Sequence, residues 1–148
     1  AKAIGSAGEK ISADILEMIG CVVPRNKKGI HKKPKGSGSE FDLFIGKVKI
    51  EVKYSHAWDC ELNRFQWQQL RSKQDYERVL FVGCNPNDMD MWWCTKEDLE
   101  KHVFGKKSHK QHGGKDGEQD TYWIQTWRHG IPSYFKHIST WPVQNEDK

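Results

Sequence analysis

The stretch Phe41-Asp42-Leu43-Phe44-Ile45-Gly46-Lys47-Val48-Lys49-Ile50-Glu51-Val52-Lys53 decides how this chain is read. Two apolar runs flank Gly46-Lys47. Glycine followed by one polar residue suits a two-residue hairpin turn of the type with Gly in its first position. With 46 and 47 as the loop, 45 pairs with 48, 44 with 49, 43 with 50, and 42 with 51. Successive strand residues point to opposite faces. One face is then Phe41, Leu43, Ile45, Val48, Ile50 and Val52, all apolar; the other is Asp42, Phe44, Lys49, Glu51 and Lys53. A slip of one residue would bury the charges, so hydrophobicity fixes the register.

That register sets Asp42 across from Glu51. Like charges directly opposite each other destabilise a sheet. A divalent cation between them reverses the sign, because Mg²⁺ takes hard carboxylate oxygens and keeps waters for the substrate side. Lys53 follows on the same face, where its ammonium can reach a reacting water or phosphate. The competing reading is an amphipathic hairpin with one solvated face, since short motifs arise often by chance.

A chain of 148 residues suits one domain with its own core. Hydrophobic residues make up 36%, and the mean hydropathy is −0.85. That is polar but not the composition of a disordered chain, and the Trp and Phe residues supply large packing units. The distribution of charge says more than its sum of +4. Arg25, Lys27, Lys28, Lys32, Lys33 and Lys35 come with no acid among them, and Lys101, Lys106, Lys107, Lys110 and Lys115 form a second basic segment. Clusters of this kind suit a phosphate backbone, or else a solvated loop. No run approaches the roughly 20 apolar residues of a membrane span, and no signal-peptide pattern is present. Cys21, Cys60, Cys84 and Cys94 show no pair spacing, and Cys21, Cys84 and Cys94 sit in or beside apolar segments, as reduced core cysteines do. These features lead us to expect an intracellular protein without membrane contact, in cytoplasm, nucleoid or nucleus.

Outward from the hairpin, residues 6–20 are expected as a helix with Ile11, Ile15, Met18 and Ile19 on its apolar side. Ser6 and Glu9 would form a capping box there, and Gly20 would end the helix. Residues 24–40 read as a loop. Residues 62–76 read as a second helix carrying Leu62, Phe65, Trp67, Leu70 and Tyr76. Arg78 to Cys84 is a buried central strand, 85–88 a turn, and Met89 to Thr95 another strand. Thr95 and Asp98 cap a helix over 96–104. A mobile loop over 105–120, a strand from Tyr122 to Trp127, and a short helix over 132–138 complete the chain. The expected fold class is α/β: a mixed β-sheet flanked by helices in a single domain, residues 1–148.

Element order and motif together, over roughly residues 5–95, resemble the PD-(D/E)xK nuclease superfamily, which includes restriction enzymes, homing endonucleases and junction resolvases. The aspartate of that motif matches Asp42, its second acid Glu51 and its lysine Lys53; Phe41 stands where the family usually has proline. The approach Lys35-Gly36-Ser37-Gly38-Ser39 looks like the Gly/Ser-rich lead-in of junction resolvases. The resemblance implies a restriction-endonuclease-like fold and Mg²⁺- (or Mn²⁺-) dependent hydrolysis of DNA. Asp42, Glu51 and the backbone carbonyl of Val52 would hold the ion, and Lys53 would orient or help deprotonate the attacking water. It also implies a glutamate on the first helix near the metal, which Glu9 matches by position, and a polar residue after the lysine strand, for which Gln66 comes first and Gln69 second. Glu9 has two readings, site or cap. The basic residues Arg25, Lys27, Lys28, Lys32, Lys33 and Lys35 would bind nucleic acid, in a loop expected to order only against DNA. Cutting two strands needs two sites, so a homodimer or higher homo-oligomer is expected.

His102, His109, His112 and Cys94 offer a weak zinc spacing without a matching Cys-x-x-Cys. Trp92, Trp93, Trp123 and Trp127 read as core rather than as base-stacking platforms. The alternative to an enzyme is a non-catalytic basic nucleic-acid-binding module on the same fold, which has no need of facing carboxylates.

Overall fold

The central stretch folds as a hairpin in the computed structural model, which describes residues 2–57, 63–111 and 120–143, with side chains from residue 7 onward. Strand β1 (Leu43–Ile45) pairs antiparallel with β2 (Val48–His56). Leu43 meets Ile50, Phe44 meets Lys49 and Ile45 meets Val48, the register that alternation demands. The turn differs from expectation. Gly46 (φ 59°) and Lys47 (φ 64°) are both left-handed, which is the mirror-image type I turn rather than the type with Gly alone inverted. Phe41 also leaves its expected face. It precedes β1 and packs on the other side of the sheet beside Phe44.

Helix α1 (Lys2–Met18) precedes the hairpin. Ser6 therefore lies inside the helix and is not its N-cap. The buried stripe is also rotated from the expected one. Ser12, Ala13 and Leu16 are buried, whereas Met18 is 84% exposed. Small residues explain the rotation: a Cβ on Gly8 would lie 3.3 Å from the Tyr54 ring, so this side lets the helix approach β2 closely. At the other end, Gly20 adopts φ 106°, and the N–H groups of Gly20 and Cys21 donate to the carbonyls of Glu17 and Leu16. This is the glycine-terminated C-cap.

The expected helix over 62–76 is a strand, β3 (Arg64–Leu70). Phe65 and Trp67 stand two apart and are both fully buried. A strand sends such a pair to one face, whereas a helix would splay them. Strands β4 (Arg78–Cys84) and β5 (Met89–Thr95) follow. Helix α2 (Lys96–His102) carries the expected capping box between Thr95 and Asp98. After a 3₁₀ turn at Lys107–His109 comes β6 (Tyr122–Trp127). The expected helix over 132–138 is absent; β7 (Lys136–His137) and a 3₁₀ turn (Ile138–Thr140) occupy the segment. Cys60, Leu62, His112 and Lys115 lie outside the described residues.

The main sheet runs β1-β2-β4-β5-β7, with β2 and β4 parallel and the remaining pairs antiparallel. β3 and β6 form a separate antiparallel ribbon. The architecture is a single mixed α/β domain built around these two sheets. Ala13 and Leu16 of α1 pack with Ile50, Leu80 and Val82 on one face of the main sheet. Phe65 and Trp67 of the ribbon pack with Val79 and Phe81 on the other. Among the described residues no helix is long and apolar enough to cross a membrane.

Candidate functional site

The site forms where the hairpin becomes uneven. β1 begins at Leu43, while β2 runs on to His56, so β2 beyond Glu51 has an edge that β1 does not cover. Asp42 turns into that gap. Its backbone N–H donates to the Ile50 carbonyl at 2.9 Å, and its Oδ2 accepts the Val52 N–H at 2.8 Å. The aspartate thus replaces a ladder partner. Within a strand, one residue's N–H and C=O leave on the same side, so the Val52 carbonyl also faces the Asp42 edge.

Two further carboxyls reach Asp42, one from each layer. Glu9 shares a helical stripe with buried Ala13 and Leu16, at i, i+4 and i+7. Its carboxyl lies within hydrogen-bonding reach of Asp42. With the helix start moved to Lys2, the capping reading of Glu9 falls away. Glu51, only 6% exposed, reaches Asp42 from the ribbon side. Burial is the main cause that pushes Glu9 up to about 7, followed by the Asp42 charge and hydrogen bond. Burial likewise pushes Glu51 up to about 8; the Lys53 charge opposes this and Asp42 adds to it. Burial first, and then the charge of the shared aspartate, favour the protonated form of both carboxyls.

Lys53 completes the group. Its Nζ lies 3.2 Å from Glu51 Oε2 and donates to the Gln69 carbonyl at 2.9 Å. Gln66 and Gln69, expected on a helix, are on β3. Gln66 is buried and its N–H donates to Ser55 Oγ at 2.9 Å. The contact with Lys53 comes from Gln69, through its backbone. A backbone carbonyl leaves no trace in a sequence, so its role was not readable there.

The basic loop lies alongside and is tied down at three points. Arg25 bridges Asp14 and Glu17 of α1, each at 3.1 Å. His31 Nε2 accepts the Phe44 N–H at 2.9 Å, and burial lowers the pKa of its imidazole. Lys33 Nζ donates to the carbonyls of Gly38 and Phe41. Lys27, Lys28, Lys32 and Lys35 are exposed. A cavity of about 490 Å³ separates the loop from α1, with Glu9, Lys10, Arg25, Lys28 and Ile30 in its lining.

Among the described residues no set of three or more His, Cys, Asp or Glu side chains is placed to hold a metal ion. Mg²⁺ does not require one, since one or two carboxylates with water and substrate oxygens suffice. Asp42 and Glu51, with the Val52 carbonyl on the Asp42 side, fit that demand. The described zinc candidates make other contacts: Cys94 is buried, His102 stacks on Tyr134 with centroids 4.3 Å apart, and His109 Nδ1 meets the Trp123 carbonyl. Trp93 is buried and Trp92 packs against the ribbon core. Trp127 is 55% exposed, with the Arg64 guanidinium 4.6 Å above it. No protein-family model matches the chain, and no curated protein or solved structure is significantly similar to it.

Proposed function

We propose that this protein is a divalent-metal-dependent DNA endonuclease of the PD-(D/E)xK kind, on a restriction-endonuclease-like fold. The observation that carries this reading is the convergence on Asp42 of Glu9 and Glu51, with Lys53 beside them. Burying acids together costs stability unless their charge is paired, bound to a metal or neutralised. Asp42, Glu51 and the Val52 carbonyl would hold Mg²⁺ or Mn²⁺. Bound there, the ion would polarise the phosphate and make water a nucleophile at neutral pH. Lys53 orients the attacking water and offsets the charge that develops as water adds to phosphorus and one P–O ester bond breaks. Glu9 closes the helix side of the site. Lys27, Lys28, Lys32 and Lys35 grip the DNA backbone, and the cavity beside Glu9 gives the strand room.

Restriction, homing and junction-resolving roles all need two cuts, which supports a homodimer or larger homo-oligomer. Sedimentation at micromolar protein tests this, and a mass of one 17.3 kDa chain would remove it. The second reading, a basic binding module without catalysis, is favoured by the exposed lysines alone. Incubation with supercoiled, linear and four-way-junction DNA, with Mg²⁺ or with EDTA, separates the two. Binding without cleavage of all three supports the module.

A further inference from the structure

We propose that the bulged Gln69 peptide and the Gln111 side chain form a positioning device that aims the Lys53 ammonium beside Glu51, a role that rests on the nuclease reading of this site. The β3–β6 pairing is regular from Arg64 to Trp67 and then shifts before Leu70. Bulges of this kind re-aim backbone groups and gather next to active sites. Gln69 sits in the shift with φ 56°, a left-handed conformation that residues with a Cβ rarely adopt. Something must hold it there, and Gln111 does. Its Oε1 accepts the Gln69 N–H at 2.8 Å, while its own backbone N–H donates to the Thr121 carbonyl at 3.0 Å.

With its N–H pinned from one side, the Gln69 residue presents its carbonyl to Lys53 Nζ at 2.9 Å. Lysine has a long, flexible stem and three ammonium donors. One acceptor leaves such a group free to swing. Two acceptors, the Gln69 carbonyl and Glu51 Oε2, fix the direction of the third donor. Gln69 and Gln111 touch neither the carboxylates nor the reacting atoms, so they are positioning residues. Gln69 acts from the ribbon and Gln111 from the segment that bridges to its β6 edge at Lys110, both outside the hairpin that carries the motif.

The test uses Gln111→Ala and Gln111→Glu; the second keeps an oxygen for the Gln69 N–H. Both are compared with the native chain by amide exchange at Gln69 and by ¹⁵N NMR of the Lys53 ammonium, in metal-free protein. Plasmid nicking with Mg²⁺ then gives kcat and KM. In Gln111→Ala, exchange at Gln69 and at the Lys53 ammonium should rise, and kcat should fall by ~10- to 100-fold with KM within about twofold, the pattern of a misaimed group. Gln111→Glu should restore all three. An unchanged Lys53 signal while Gln69 exchange rises would overturn the proposal, as would equal losses in both variants. If the native protein cuts no DNA, the nuclease reading falls, and the metal-free NMR comparison still decides whether Gln111 orients Lys53.

Discussion

Asp42 Oδ2 accepts the backbone N–H of Val52 at 2.8 Å, so one carboxylate both completes the open end of the hairpin and forms the centre of the acidic cluster. The two duties respond differently to substitution. Asp42→Asn keeps an oxygen for Val52, so stability should change little, while nicking falls by ~100-fold or more, the scale for losing one electrostatic group at a reacting centre. Asp42→Ala should lose activity and also about 1 kcal/mol of stability, the typical worth of a hydrogen bond. Urea unfolding of the two variants checks this, and equal stability would detach Asp42 from the hairpin end.

The acidic cluster predicts an unusual pH dependence. Glu9 and Glu51 are raised to about 7 and about 8. A carboxyl raised on folding stays protonated in the folded state after the unfolded chain has released its proton. Its contribution is therefore full at low pH and is lost as pH rises through the folded value. His31, lowered by burial, acts in the opposite direction below its ordinary value of 6.5. Between pH 6.5 and 8 the carboxyls dominate, and the metal-free protein should lose stability. Millimolar Mg²⁺ should recover more at pH 8 than at pH 6.5, because at the lower pH it must first displace protons. Urea midpoints of the native protein and Glu51→Gln at both pH values test this. A slope no shallower in Glu51→Gln would contradict it.

The crossing of the ribbon over the main sheet depends on Gly83. A Cβ there would lie 2.7 Å from Phe65 Cζ. Gly83→Ala should cost ~1–3 kcal/mol, the usual penalty of overpacking a core. Unchanged stability would mean that β3 does not cross β4 at this point.

Sequence and structure agree where a pattern is local and redundant. The hairpin register was legible because the positions on one face, Leu43, Ile45, Val48, Ile50 and Val52, are all apolar. The α2 cap was legible because Thr95 and Asp98 satisfy each other within one turn. β3 was not legible. Its glutamines favour helix, and only the burial of Phe65 and Trp67 against Phe81, supplied by distant segments, makes it a strand. The α1 stripe misled because isoleucines outweigh glycine, serine and alanine in any apolar pattern, although close packing on Tyr54 selects the small side. Asp42, Glu51 and Lys53 could be named in advance. The pairing of Glu9 with Asp42 could not be decided until the helix start was known, and the Gln69 carbonyl carried no signal at all.

The basic loop divides into two classes of residue. Lys27, Lys28, Lys32 and Lys35 are exposed. Replacing any of them by Ala should weaken DNA binding for all sequences and lower the salt slope by ~1. Arg25 is held by Asp14 and Glu17, and Lys33 by two carbonyls. Their alanine variants should loosen the loop more than they change the slope. Fluorescence anisotropy with duplex DNA across a salt series distinguishes the classes, and identical slopes in all variants would contradict the division.

The most direct test of the central claim is supercoiled-plasmid nicking by the native protein, Lys53→Ala and Asp42→Asn, each with Mg²⁺ and with EDTA. A metal-dependent nuclease built on Asp42, Glu51 and Lys53 converts supercoiled to open-circular or linear DNA only in the native sample with Mg²⁺. Cleavage that persists in both variants, or a native protein that binds the plasmid and never cuts it, would contradict the account.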